Sequence, residues 1–482
     1  MSDTGRRCDI VIRHGTLVDG TGGPPRAADV AISGERIAAV GDLGAVAAEH
    51  EIDASGRAVA PGFIDVHTHD DRALLSDPDM AFKASQGVTT VVIGNCGSSL
   101  APLEPGRPTP PPLNLFGGPE WWRFPTVASY VTELERAPAA INTAILIGHA
   151  TLRTGAMDDL DRPATDTEIA VMQERLEEGM AAGAIGFSTG LFYPPNRAAP
   201  TDEVVALAEV AARAGGVHTT HMRDEHDHVL DSLDETFEIG SRAKLPVVVS
   251  HHKCAGPRNF GRTRDTLRRI DDARRTQEVG LDVYPYTAGS SVLLPALIED
   301  SARVLLTWSE PCPEMAGRDL AEIAAEWGVD ILAAADRLQP AGAVYFMMDE
   351  EDVRRILAYP HSMIGSDGSP HDEKPHPRLW GTFPRVLGHY SREVGLFPLQ
   401  TAVHKMTGLA AARFGFADRG VVRPGAAADI VIFDPAAIID RATYDDPVQP
   451  AAGIHLVMAN GEAVWDGSRS TGARPGRVLR RG

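Results

Sequence analysis

Six side chains of metal-binding type fall at equivalent places in the sequence. His67 and His69 lie in the run FIDVHTH, Cys96 follows TTVVIG, His221 ends one apolar run, His251 ends another, and Asp367 closes SMIGSD. Alternate side chains of a strand share a face, so His67 and His69 point the same way. Taken singly, an HxH pair also reads as ordinary polar residues at a strand end. Cys96 also reads as a small buried hydrophobe, and lone histidines such as His149 or His252 as structural side chains. The common position of all six at the C-terminal ends of strand-like runs is what points to one site. Imidazole nitrogen, thiolate sulfur and carboxylate oxygen together suit Zn²⁺, with donors enough for one or two ions. Zinc lowers the pKa of a bound water toward ~7 and polarises a carbonyl. Asp367 is placed to take the water proton and pass it to a leaving amine.

The same alternation puts Lys253 on the face of His251, Arg223 on that of His221, and Tyr284 with Tyr286 on one face of a further run. Arg378, in HPRLWGTFPR, follows shortly after Asp367. Cations and tyrosines beside a zinc centre suit recognition of a substrate carboxylate, which arginine grips as a bidentate fork. Each cation could instead pair with a neighbouring acid such as Asp224 or Glu225. As a group they favour an anionic substrate.

The elements that must position these residues are eight apolar runs: 63–69, 89–94, 143–149, 184–190, 216–223, 246–252, 279–286 and 362–367. Amphipathic stretches separate them, as in Thr165–Ala182, where Ile169, Met172, Leu176 and Met180 recur at helical spacing. Eight βα units predict an α/β fold of the TIM type, a (β/α)8 barrel whose active site lies at the C-terminal ends of its strands. The gap between the seventh and eighth runs is far longer than a usual βα loop and holds helix-like stretches at Asp319–Leu338 and Glu350–Ala358, so it reads as an insertion over the barrel mouth. Both chain ends read as short alternating strands, with hairpin turns at Ser33-Gly34 and Asn460-Gly461. The expected division is a small β-sandwich domain from 1–61 and 415–482, interrupted by a catalytic barrel over 62–414 with the insertion around 287–345.

The chain has 482 residues, with 46 Lys and Arg against 66 Asp and Glu, a net charge of −20 that repels phosphate backbones and anionic membranes. The notable basic cluster is C-terminal: Arg474, Arg477, Arg480 and Arg481. Neither nucleic acid nor membrane is an expected partner; oligomeric state is open. Four scattered cysteines form no disulfide framework, and MSDTGRRCDIVIRHG lacks the apolar stretch of a signal peptide. The expected location is the cytoplasm.

Through PGFIDVHTHDD, QGVTTVVIGNCG, HMRDEHD, SHHK, DVYPY, IGSDG and HPRLWGTFPRVLG, the chain resembles, nearly end to end, the D-aminoacylase (N-acyl-D-amino-acid deacylase) family of the amidohydrolase superfamily. The segment ADRGVVRPGAAADIVIFDP resembles that family's re-entry into its small β domain. The resemblance implies a tightly held zinc on Cys96, His221 and His251. It implies a second, weaker position framed by His67, His69 and Asp367, with Cys96 bridging. It implies Asp367 as general base and then acid, and Lys253, Tyr284 and Arg378 on the substrate α-carboxylate, with Tyr193 and Ser290 as further substrate contacts. Hydrolysis of N-acyl-D-amino acids by metal-bound water follows, and the D preference comes from the resemblance alone.

The cyclic amidases of the superfamily bridge their metals with a carbamylated lysine, and no lysine ends the fourth run, GFSTGLFYPP. Cyclic amide hydrolysis, deacylation of acidic D-amino acids and a catalytically silent scaffold are the alternatives. AGSSVLLPALI (288–298) holds no cation, which favours neutral or apolar substrate side chains over D-Glu or D-Asp.

Overall fold

The computed structural model describes residues 8–107 and 109–481. Residues 1–7 and 482, which belong to the expected small β domain, lie outside the described residues, as does the start of the segment read for a signal peptide.

Eight parallel strands form one sheet in strict sequence order: Phe63–Asp65, Val88–Ile93, Asn142–Gly148, Gly186–Gly190, Val217–His221, Val247–Val249, Val279–Val283 and Ser362–Ile364. We number these barrel strands one to eight. They are buried along their lengths, as parallel strands covered on both faces must be. Strands one and eight meet through a single parallel bridge, Thr68 to Gly368. The Asp367 N–H donates to the His67 carbonyl at 2.8 Å beside it. Gly365 is needed at this seam, because a Cβ there would lie 2.4 Å from that of His67.

Each chemical residue lies at or just past a strand end. Strand one stops at Asp65, strand six at Val249 and strand eight at Ile364, all earlier than the apolar runs suggest. Past strands two, six and eight the backbone turns left-handed, with φ of 52° at Cys96, 36° at His251 and 52° at Asp367, a region where a strand cannot continue. Such conformations cost energy for a side chain with a Cβ and cluster where function needs them.

The helices follow their sequence signals. Asp166–Ala181 is capped by Thr165 in a reciprocal box with Glu168, and Met172 and Leu176 are buried on one face, with Ile169 and Met180 half-buried. Between strands seven and eight, strands 288–292, 304–309 and 341–346 make a separate antiparallel sheet. Helices Leu320–Trp327 and Ile331–Leu338 pack on it around Leu306, Ile323 and Tyr345.

The chain ends fold together. Ala58–Pro61 pairs antiparallel with Ile430–Phe433 inside a six-stranded sheet that faces a four-stranded one built from the N-terminal residues. Ile12, Ile32, Val59, Ile430 and Met458 share the core between them. Asn460 and Gly461 both have positive φ, 47° and 84°, the geometry of a two-residue hairpin turn. The other hairpin turns one residue later than expected, through Gly34-Glu35, because Ser33 still pairs with Arg36. Strand Ala48–Asp53 carried no apolar signal, being an exposed polar edge. Among the described residues no helix is long and apolar enough to cross a membrane.

Candidate metal centre and substrate cavity

Two overlapping groups of donors meet at the barrel mouth: Cys96, His221 and His251, and His67, His69, Cys96 and Asp367, with the ligand atoms of each group within 4.8 Å of one another. Cys96 Sγ is the common member, 3.2 Å from His67 Nε2 and 3.3 Å from His251 Nε2. Asp367 Oδ1 lies 3.2 Å from His69 Nε2 and 3.5 Å from His67 Nε2. The seam between strands one and eight brings the last two sets together.

The donor chemistry fits a metal. Burial alone would raise the Cys96 thiol, but His67 and His251, with His221 close by, outweigh it and hold Cys96 well below its usual range as a thiolate. His221 Nδ1 is buried and has no hydrogen-bond partner in the protein, an expensive arrangement that a metal would relieve. Thiolate with imidazoles is a zinc-type set. For Asp367 burial also raises the carboxyl, and Arg378 first, then His67 and His251, pull it well below the ordinary carboxylate value.

Behind the donors stand two carboxylates. Asp282 Oδ1 lies 3.3 Å from His67 Nδ1 and accepts the His251 N–H at 2.9 Å. Its sequence signal was available: Asp282 shares a strand face with Tyr284 in an otherwise apolar run. Glu225 contacts His251, His221 and Lys253, and in the sequence it stood out only as a possible partner for a cation.

The donors open into a cleft enclosing about 750 Å³, part of it solvent, lined by Tyr193, Lys253, Tyr284 and Ser290 among the expected substrate contacts. Tyr193 packs its ring 4.9 Å from His221 and shares a hydrogen bond with Ser291 at 3.0 Å. The Ser290 hydroxyl is buried without a partner. Arg378 lies beneath the lining, 1% exposed, with Nη1 2.9 Å from Asp367 Oδ2, Nη2 donating to the Ser290 carbonyl at 3.1 Å, and the guanidinium 4.6 Å from the Tyr284 ring. Apolar walls come from Leu115 and Phe116, which follow the proline-rich loop, from Phe192, from Leu297 of the insertion and from Met347 just past it.

Two expected neighbours are elsewhere. Arg223 turns away because strand five ends at His221, and it pairs with Glu235 at 2.7 Å and with the carbonyls of Arg197 and Ala199. Tyr286 stacks edge-on against His376, and its hydroxyl faces the Pro377 carbonyl at 3.5 Å, outside the cavity lining.

The sequence profile of the amidohydrolase family matches residues 50–291 and 301–465. The chain belongs to that family. This amidohydrolase is 55% identical to the D-aminoacylase of Alcaligenes xylosoxydans xylosoxydans over 473 residues, 98% of each chain. A D-aminoacylase structure described for the functional role of its binuclear metal centre, with one-metal activation and second-metal attenuation, is 54% identical. It superposes with a TM-score of 0.96 over 98% of this chain and 100% of that one. A crystal structure of N-acyl-D-glutamate deacylase from Bordetella bronchiseptica, complexed with zinc and a phosphonate mimic of the reaction's tetrahedral intermediate, is 49% identical. Its TM-score is 0.95, with the same coverage.

Proposed function

We propose that this amidohydrolase hydrolyses N-acyl-D-amino acids to a carboxylate and a free D-amino acid. The reading is carried by the joined donor groups on Cys96, with Asp367 between the histidines and the Arg378 guanidinium. The names of its relatives at 49–55% identity, which share that reaction type, support it. Cys96, His221 and His251 would hold the tighter zinc, and His67, His69 and Asp367, with Cys96, the weaker position. When bound, the metal supplies a Lewis acid for the amide oxygen and lowers the pKa of the attacking water.

The protein's own groups do the rest. Asp367 accepts the proton of the attacking water as the C–O bond forms, then delivers it to the nitrogen as the C–N bond breaks. Lys253, Tyr284 and Arg378 bind the α-carboxylate, and Ser290 and Tyr193 fix the amide in the cleft. The apolar walls favour neutral or apolar side chains, since an acidic one would be desolvated there without a free cation. A thiolate site together with four free cysteines fits a reducing compartment such as the cytoplasm. The division at 61/62 and 414/415, with 287–345 as the insertion, assigns the chemistry to the barrel and its lid-like cover.

The test is release of free amine from paired N-acetyl-D and N-acetyl-L substrates bearing Met, Leu, Phe, Glu and Asp side chains, with bound metal quantified. Turnover of D-Met, D-Leu and D-Phe forms is expected. Turnover of L forms alone would sink the reading, and a preference for D-Glu would sink the side-chain argument.

A further inference from the structure

Glu225, four residues past His221 and 5% exposed, belongs to neither donor group, yet its carboxylate touches both histidines of the Cys96, His221 and His251 group. Oε1 lies 3.1 Å from His251 Nδ1, Oε2 lies 3.5 Å from His221 Nε2, and both oxygens accept from Lys253 Nζ at 2.8 Å. Its backbone carbonyl accepts the Ala255 N–H at 2.8 Å, tying the loop after strand five to the loop after strand six. Burial alone would raise this carboxyl, but Lys253, then His221 and His251, hold it well below the usual range, so it is anionic in its place.

Hydrogen-bond arithmetic gives this placement a consequence. His251 Nδ1 is approached by two groups of opposite kind: Glu225 Oε1, which only accepts, and Lys253 Nζ at 2.8 Å, which only donates. A neutral imidazole carries one N–H, so Nδ1 can serve one of them. When Nε2, which faces Cys96 Sγ, gives its lone pair to a metal, the hydrogen resides on Nδ1 and goes to Glu225. Lys253 keeps its two bonds to Glu225 and turns its third hydrogen from the ring toward the cleft it lines.

We propose that Glu225 is a positioning residue with two outputs: it orients His221 and His251 for the metal, and it holds Lys253 with one hydrogen directed at the substrate carboxylate. The second output rests on the reading of Lys253 as a carboxylate ligand; the first does not.

The test is zinc competition against a chromophoric chelator, with steady-state kinetics on N-acetyl-D-methionine at saturating zinc. The proteins are the full chain and its variants E225Q and E225L/K253M. E225Q is expected to weaken the tight zinc by about 10–100-fold, and to raise KM by a larger factor than it lowers kcat. The double variant removes the buried pair as a unit and leaves no lone charge, so it folds, and it is expected to keep the weakened zinc binding. Wild-type zinc affinity in E225Q would overturn the proposal. Wild-type affinity in the double variant would also overturn it, because the loss would then come from an unpaired Lys253; the double variant decides alone if E225Q does not fold. If the unmodified chain does not hydrolyse N-acetyl-D-methionine while E225Q still loses zinc, the substrate reading fails and the metal role of Glu225 is supported.

Discussion

At the N-terminal end of the barrel strands, Asp429 accepts the Asn460 N–H at 2.7 Å, the Asn142 side chain at 3.2 Å and the Arg419 guanidinium. Asn460 in turn donates to Asn142 Oδ1 at 2.7 Å and to the Pro475 carbonyl at 2.8 Å. At the opposite end His221 Nδ1, Ser290 Oγ and Arg378 Nε are buried with no hydrogen-bond partner. Both ends bury charge, but the Asp429–Asn142–Asn460 network closes its own hydrogen bonds, while at the mouth atoms of the site itself are left open. A satisfied network fastens the β domain to the barrel; an unsatisfied one costs stability and persists where a ligand completes it.

Four experiments break or sharpen that contrast. Stripping metal with a chelator should take turnover to the assay floor and restore it with Zn²⁺. It should also cost about 3–4 kcal/mol of stability if zinc had been at a hundred- to thousand-fold excess over its Kd; calorimetry that shows no loss would remove the metal from the ledger of the mouth. Asp367→Asn should keep the tight zinc and lower kcat by about 10²–10⁴-fold, roughly 3–5 kcal/mol, as read from steady-state rates and metal content. Wild-type turnover would acquit Asp367 as the base. Asp429→Ala takes the buried partner from Arg419, leaving it only the more exposed Asp418, and should cost about 3 kcal/mol in denaturant unfolding, with kcat/KM of the folded enzyme unchanged. A matching loss of activity would mean that the two ends are coupled. Ser290→Ala removes an unpaired hydroxyl and should move stability by less than about 1 kcal/mol while raising KM for N-acyl substrates; an unchanged KM would take Ser290 out of the substrate site.

The side chains of metal-binding type that converge at the mouth were legible because only a few residue types supply such donors and a barrel places them at strand ends. His67, Cys96, His221, His251 and Asp367 were found that way, and Asn460-Gly461 was found because its turn needs two positive φ values. What alternation could not show is where a strand stops. Arg223 was placed by extending strand five two residues too far, and Lys253 reaches the cluster even though alternation has ended at His251. Glu225 was named, but only three-dimensional packing shows that it touches two histidines at once. Ala48–Asp53 was invisible because its partner strand supplies hydrogen bonds and its side chains face water.

The barrel's seam also sets an order in time. Cys96, His221 and His251 are all synthesised before Asp367, which stands 298 residues beyond its contact His69. A growing chain therefore contains all three residues of the thiolate triad well before strand eight is synthesised. A metal captured early would sit harmlessly, without its proton acceptor, until the last strand docks and the Thr68–Gly368 bridge forms. On the role proposed for Asp367, hydrolytic competence would thus wait for the last strand to close the barrel.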